Sequence, residues 1–135
     1  MGTGSARLGA AILNQCWDSR DAFFYTVDVQ CVDRRAKLIT NVERGMDMAG
    51  STIPLRFQQF TGFLPMWRGI ATKAQADAMI ARNYRADDRL RAAHGVRTLS
   101  SQEKMYGTAF SSNPSNWLGS IWIISNYFAR KGLSR

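Results

Sequence analysis

The sequence predicts a mainly α-helical fold, and three observations lead to that prediction. Residues 5–18 carry apolar side chains at helical spacing. Thr72 and Gln75 have the spacing of a capping box, which marks the start of a helix. Near the other end of the chain, Asn113 can cap an apolar helix whose first turn contains Pro114. Helices joined by long loops are therefore the predicted architecture.

Further helices are predicted between these three. A short helix begins near Pro65, because proline is tolerated in a first turn. The capping-box helix extends to about Arg82, and another helical piece covers residues 86–93 and ends at Gly95 with a left-handed cap. The last helix ends near Gly132.

Two stretches lack helical periodicity. Residues 23–29 are aromatic and β-branched, which predicts a short extended segment. Residues 32–53 are charged and contain glycine, which predicts a loop with a short strand at residues 37–40. Long ordered loops of this kind usually build a site.

The composition indicates one globular domain with an excess of positive charge. The chain has 135 residues, of which 45% are hydrophobic, and a single domain is expected over residues 1–135. The net charge of +8 makes a basic nucleic-acid-binding module an alternative function. However, the positive charges do not form one run, since Asp87 and Asp88 interrupt the densest stretch at residues 82–91.

No cofactor or membrane signal is found in the sequence. No apolar stretch approaches the ~20 residues of a membrane span, and the start lacks the pattern of a signal peptide. We therefore expect a cytoplasmic chain without a membrane partner. Cys16 and Cys31 form no CxxC pair and His94 is distant, so we expect no metal, no cofactor and two separate buried thiols, with a disulfide as the alternative.

Residues 113–133 have the most informative composition. They combine Trp117, Trp122, Asn116, Asn126 and a tyrosine with apolar residues. Aromatic rings stack on the C–H face of a sugar, and amides bond its hydroxyls, so this mixture suits a sugar-binding wall. A central helix of a bundle, with its polar side chains bonded to neighbours, is the alternative interpretation.

Four segments resemble, in the same order, motifs of one enzyme group. They are the Trp-Asp and Phe-Phe-Tyr-Thr-Val-Asp pair within residues 17–28, Phe-Thr-Gly-Phe-Leu-Pro-Met-Trp-Arg-Gly-Ile-Ala at 60–71, Gly-Val-Arg-Thr-Leu-Ser at 95–100 and Asn-Pro-Ser-Asn-Trp-Leu-Gly-Ser-Ile-Trp at 113–122. Together they resemble bacterial members of glycoside hydrolase family 63 and related mannosylglycerate-hydrolase-like and trehalase-like enzymes. The chain departs from many relatives at Ser120, where they have proline.

The resemblance implies a partial (α/α)6 toroid from an enzyme that acts on an α-linked glucoside or mannoside. Family members generally invert the anomeric centre, with one carboxylic acid and one carboxylate acting on opposite faces of the sugar. In the family, the acid precedes the motif at residues 17–28 and the base follows the last helix. We therefore expect an incomplete catalytic domain with no catalytic residue, which does not hydrolyse sugars alone.

Six candidate substrate-binding residues follow from the resemblance and from their residue types: Trp117, Trp122, Asn116, Arg97, Gln102 and Tyr106. A role in the core or in bracing a loop remains open for each of them. Glu103 forms a second predicted capping box with Ser100, and it could also bond a sugar hydroxyl. Structural roles are expected for the other carboxylates considered, which are Asp18, Asp21, Asp28, Asp33, Asp87 and Asp88.

The expected partner is thus an α-linked saccharide. An isolated piece of a toroid would expose apolar surface between Trp117 and Phe128, which predicts self-association. A self-assembling interaction module without sugar binding is therefore a further alternative function.

Overall fold

The fold consists of short helices connected by small antiparallel ladders. A computed structural model describes residues 3–28, 53–86, 88–108 and 117–134. Four α-helices lie in these ranges: α1 (Thr3–Gln15), α2 (Leu64–Trp67), α3 (Lys73–Met79) and α4 (Ile123–Leu133). A 3₁₀ turn at Phe60–Phe63 precedes α2, and a π-helical turn at Ile80–Tyr84 continues α3.

Three two-stranded antiparallel ladders connect the helices. Strand β1 (Trp17–Asp18) pairs with β2 (Phe23–Phe24), and β3 (Thr26–Asp28) pairs with β4 (Ile53–Leu55). The third ladder joins β5 (Arg91–Ala92) to β6 (Gly95–Val96). Because each strand has only two or three residues, side-chain packing must supply most of their stability.

The core lies where these ladders meet α2, α3 and α4. Phe23 and Phe63 meet edge to face, with ring centroids 6.3 Å apart, and both are buried. The side chains of Met79 and Leu90 in the same core are also fully buried. Helix α4 approaches α2 closely because Gly132 has no side chain: a Cβ there would lie only 3.1 Å from the Cβ of Met66.

The structure confirms the local predictions near the first half of the chain. Helix α1 occupies most of the predicted segment, and residues 23–28 are extended. The capping box is present, because the Thr72 side chain accepts from the Gln75 backbone and the Gln75 side chain accepts from the Thr72 backbone. Pro65 lies in the first turn of α2. The predicted strand at residues 37–40 lies outside the described residues.

The predicted start of the last helix is wrong. Helix α4 begins at Ile123, with Trp122 as an extended N-cap residue, and residues 117–122 are not helical. Gly119 has a φ of +137°, which ends helical geometry, and the backbone of this segment bonds to Gly107 and Thr98 instead of to itself. The predicted cap at residues 113–114 lies outside the described residues. The predicted end near residue 132 is confirmed.

Two predictions in the middle of the chain are also wrong. Within the predicted helix at residues 86–93, the described residues 88–93 are not helical, because β5 pairs with β6 and Gly95 adopts a φ of +140° within this hairpin rather than at a helix end. The predicted capping box of Ser100 and Glu103 is absent, because the Glu103 carboxylate accepts instead from the backbone N–H of Gln58 at 2.9 Å. The single turn expected at this position is present, since the N–H of Glu103 donates to the Ser100 carbonyl at 3.1 Å.

Replacing Gly62 by alanine should destabilise the protein. A Cβ at this position would overlap the ring of buried Phe23, and overpacking of a rigid core costs ~1–3 kcal/mol. Urea unfolding of Gly62→Ala should therefore show a lower midpoint than that of the parent chain. Gly107→Ala is the matched control, because a Cβ there meets no atom within 4 Å. Equal midpoints for the two variants would contradict the proposed packing.

Candidate functional site

One extended segment, residues 95–101, holds the candidate site together. The carbonyl of Thr98 accepts from the backbone N–H of Phe60 at 3.1 Å, and the N–H of Thr98 donates to the Ser120 carbonyl at 3.1 Å. Single β-bridges join Gln59 to Leu99 and Arg97 to Ile121. The segment therefore brings residues 58–60 and residues 119–121 to its two sides.

The side chain of Thr98 strengthens this connection. Its Oγ1 donates to the Ser120 carbonyl at 2.9 Å and accepts from the backbone N–H of Gly119 at 3.1 Å. Thr98 is only 2% exposed, so water does not compete for these bonds. The buried hydroxyl of Thr98 thus adds two hydrogen bonds to the backbone contact that holds Gly119 and Ser120.

Three aromatic rings lie next to this anchor. Trp117 and Trp122 are almost parallel, with a 10° angle between their planes and 5.1 Å between their centroids. Phe60 stacks against Trp117 at 5.7 Å and 22°. We call these three residues the aromatic stack. Trp117 is 44% exposed and Trp122 is 37% exposed, so the stack offers ring surface to solvent.

Tyr106 lies at the edge of the same region. A Cβ at Gly119 would overlap the ring of Tyr106, so this ring rests directly on the glycine backbone. Gly107 fixes the approach by donating from its N–H to the Leu118 carbonyl at 2.8 Å. Tyr106 and the two tryptophans therefore meet around residues 117–122.

Arg97 and Gln102 have contacts that brace a loop. Nη1 of Arg97 donates to the Arg89 carbonyl at 3.1 Å, and the Gln102 amide donates to the carboxylate of Asp88. Both side chains thus tie the 95–102 region to residues 88–89. Asn116, the remaining predicted residue, lies outside the described part of the chain. The structure brings together three of the six predicted residues and uses two others to support them.

A buried polar layer around Asn83 connects to the segment that carries Phe60, and the sequence did not indicate it. Asn83 is fully buried, and its Oδ1 accepts from Gln58 at 2.9 Å and from Arg89 at 3.2 Å. Its amide nitrogen donates to the carbonyls of Asp21 and Ala22, both at 2.9 Å. Because Gln58 is close in sequence to Phe60, this layer supports one member of the stack.

Three positioning residues, Phe60, Glu103 and Asn83, were therefore missed or misassigned from sequence. Phe60 stood at the start of a recognised motif, and that position was the one signal that could have identified it. Glu103 holds the backbone of Gln58 with its carboxylate, as described above, which supports the same segment from the other side. Asn83 has no distinguishing sequence signal, because its partners are distant along the chain.

Asp18 and Asp21 lie in a separate ion-pair cluster. Arg56 contacts both carboxylates, at 2.8 Å in the case of Asp21. The hydroxyl of buried Tyr25 donates to Asp21 at 2.9 Å. Burial, followed by this hydrogen bond, raises the pKa of Tyr25 to about 12. The cluster holds both carboxylates against the guanidinium of Arg56.

The other carboxylates add no such site. Asp88 is the acceptor for Gln102, whereas Asp33 and Asp87 lie outside the described residues. Within residues 3–28, 53–86, 88–108 and 117–134, no three His, Cys, Asp or Glu side chains are grouped so that they could hold a metal ion. The thiol of Cys16 is half-buried and free, and burial raises its pKa. None of the helices in these ranges is long and apolar enough to cross a bilayer.

Thr98→Val should weaken the anchor of the aromatic stack. Valine keeps the shape but leaves the buried N–H of Gly119 without its acceptor, a loss of ~1–3 kcal/mol. We expect a lower urea midpoint and a change in tryptophan emission from the stack. Thr98→Ser keeps the hydroxyl and should retain the emission spectrum. Identical spectra for Thr98→Val and the parent chain would contradict this role.

Tyr25 should ionise near pH 12. Its neutral form is favoured in the folded chain, so its contribution to stability is complete below the ordinary tyrosine pKa of ~10 and is lost as the pH rises towards 12. The difference in absorbance at 295 nm between the parent chain and Tyr25→Phe should isolate this titration. Asp21→Asn, which removes the carboxylate acceptor, should lower the midpoint. A midpoint near 10 in the parent chain would refute the assignment.

Comparison with known proteins agrees with this architecture. None of the curated proteins matches the chain significantly. The structure is similar to a solved sialidase, with a TM-score of 0.70 and 16% identity, over 98% of this chain and 10% of the sialidase chain. The chain therefore spans about a tenth of that larger protein. The family model of the mannosylglycerate hydrolase MGH1-like glycoside hydrolase domain matches residues 2–135, and the chain thus belongs to this glycoside hydrolase family.

Proposed function

We propose that this chain supplies part of the sugar-binding wall of a glycoside hydrolase with an (α/α)6 toroid. The substrate class is an α-linked glucoside or mannoside. The observation that carries the proposal is the solvent-open pair of parallel indoles, Trp117 and Trp122, in a member of a glycoside hydrolase family. The family supplies the class of ligand, and the aromatic stack supplies a surface that suits it.

The stack suits a sugar because of its shape and its rigidity. A pyranose has apolar C–H faces that pack on aromatic rings, and the parts of Trp117 and Trp122 that remain exposed in the stack offer such ring surface. Tyr106 adds a phenolic hydroxyl near the same edge, which can donate to or accept from a sugar hydroxyl. Because the Thr98 anchor and Phe60 fix the rings before binding, little side-chain entropy is lost when the sugar binds.

The proposed role is binding without hydrolysis by this chain alone. Inversion requires two carboxyl groups ~6.5–9.5 Å apart, one of them protonated. Asp18 and Asp21 are engaged by Arg56, and Glu103 is engaged by the backbone of Gln58. We therefore assign these groups structural roles and propose that the acid and the base belong to other parts of a larger hydrolase.

A second candidate is single-stranded nucleic acid. Exposed aromatic rings also stack on bases, and the net charge of +8 would attract phosphates. The two ligands differ in their response to salt: nucleic-acid affinity falls steeply between 50 and 200 mM salt, whereas the affinity for a neutral sugar does not. Parallel titrations with a maltooligosaccharide and with oligothymidylate at both salt concentrations would separate them.

Trp122→Ala should weaken oligosaccharide binding about tenfold, which corresponds to ~1.4 kcal/mol. The reason is the loss of one of the two parallel rings that the sugar would contact. Calorimetric titration with α-linked gluco- and manno-oligosaccharides measures the affinity, and the same mixtures show whether any reducing sugar is released. Tyr127→Ala is the control, since Tyr127 is an exposed aromatic residue whose ring partner is Phe128 rather than the stack.

Equal affinity of Trp122→Ala and the parent chain would exclude the stack as the sugar-binding surface. Release of sugar by the pure chain would contradict the assignment of the acid and base to other parts of a larger protein.

A further inference from the structure

A crevice lined by none of the three rings of the aromatic stack lies between the π-helical turn that continues α3 and one face of α4. It has a volume of about 360 Å³ and is lined by Tyr84, Val96, Asn126, Arg130, Leu133 and Ser134. This volume falls at the lower end of the range for small-molecule sites. Among the residues that the structure describes, its lining contains one cationic group, several hydroxyl or amide groups and no carboxylate.

Arg130 and Tyr84 are the polar groups of the lining that other contacts leave available. Within the part of the chain that the structure describes, the guanidinium of Arg130 makes no ion pair or side-chain hydrogen bond. The ring of Tyr84 packs edge to face on Phe63 at 6.0 Å, while its hydroxyl has no hydrogen-bond partner among the same residues. By contrast, the Asn126 amide is committed: it accepts from Val96 N–H and donates to the Trp122 carbonyl, both at 2.9 Å.

We propose that this crevice binds the oxyanion group of a small organic molecule, with Arg130 and Tyr84 as the donors. A guanidinium presents paired N–H groups that match a carboxylate or a phosphate, and a phenol adds a further donor. Val96 and Leu133 provide apolar lining for the body of the molecule. An oxyanion is favoured over a cation or a neutral apolar ligand because the lining has a positive charge without a balancing carboxylate.

The end of helix α4 would oppose an anion, because its carbonyls carry partial negative charge, but this effect is reduced here. The N–H of Ser134 donates to the Arg130 carbonyl at 3.1 Å, and the Ser134 hydroxyl donates to the Lys131 carbonyl at 3.3 Å. Two of the terminal carbonyls are thus already paired. The effect of an exposed helix dipole on a bound anion is also smaller than that of a hydrogen bond from a charged group.

The test compares Arg130→Gln with Lys131→Gln. Both variants lose one positive charge on the last turn of α4, but only Arg130 lines the crevice. Binding of glucose 6-phosphate and of gluconate to the intact chain is measured by calorimetry at constant salt. We expect Arg130→Gln to lose at least tenfold in affinity for the anion that binds, and Lys131→Gln to remain within about twofold of the parent chain.

Tyr84→Phe provides a second, milder test, because phenylalanine keeps the ring contact with Phe63 and removes the hydroxyl alone. It should reduce affinity by several-fold. Binding of glucose 6-phosphate alone would identify a phosphate site, and binding of gluconate alone a carboxylate site. Equal losses in the Arg130 and Lys131 variants would show general attraction to a basic chain and overturn the proposal. No binding of either anion to the parent chain would overturn it as well.

Discussion

The buried hydroxyl of Thr98 is the interaction on which the candidate site depends. It connects a central extended segment to the backbone at Gly119 and Ser120, where the chain turns towards helix α4. The same segment is bonded on its other side to Phe60. Together with the backbone bonds of Thr98 to Phe60 and Ser120, this hydroxyl brings Phe60 next to Trp117 and Trp122, which lie far from it along the chain.

Trp122 has two roles, and they explain why the last helix begins so late. It is the extended N-cap residue of α4, with φ −110° and ψ 143°, and it is also a member of the aromatic stack. If the helix began earlier, Trp117 and Trp122 would be five residues apart on a helical surface, about 140° from each other around the axis. The extended segment instead lets the two indoles lie parallel. Residues 117–122 are not helical, and this backbone geometry allows the two rings to stack.

The parts of the fold that follow from nearby residues were predictable from sequence. Thr72 and Gln75 need only each other to form a capping box, and α1 needs only its own apolar periodicity. The helical break near Gly119 was not predictable, because it depends on hydrogen bonds to Thr98 and Gly107, which lie outside that segment. For the candidate site, residue type identified the tryptophans, whereas it could not show that Arg97 and Gln102 are occupied by loop contacts.

The turn between β1 and β2 has a consequence for the order in which the chain folds. Ala22 has a φ of +52°, a conformation that costs an alanine ~1 kcal/mol or more, and the Asn83 amide holds the carbonyls of Asp21 and Ala22. Asn83 is 61 residues from Ala22, so this support arrives only when a long loop closes. The turn is local in sequence, yet we expect its native geometry to be fixed only after this long-range contact has formed. We therefore expect the polar layer around Asn83 to complete the hairpin, rather than the hairpin to serve as a template for that layer.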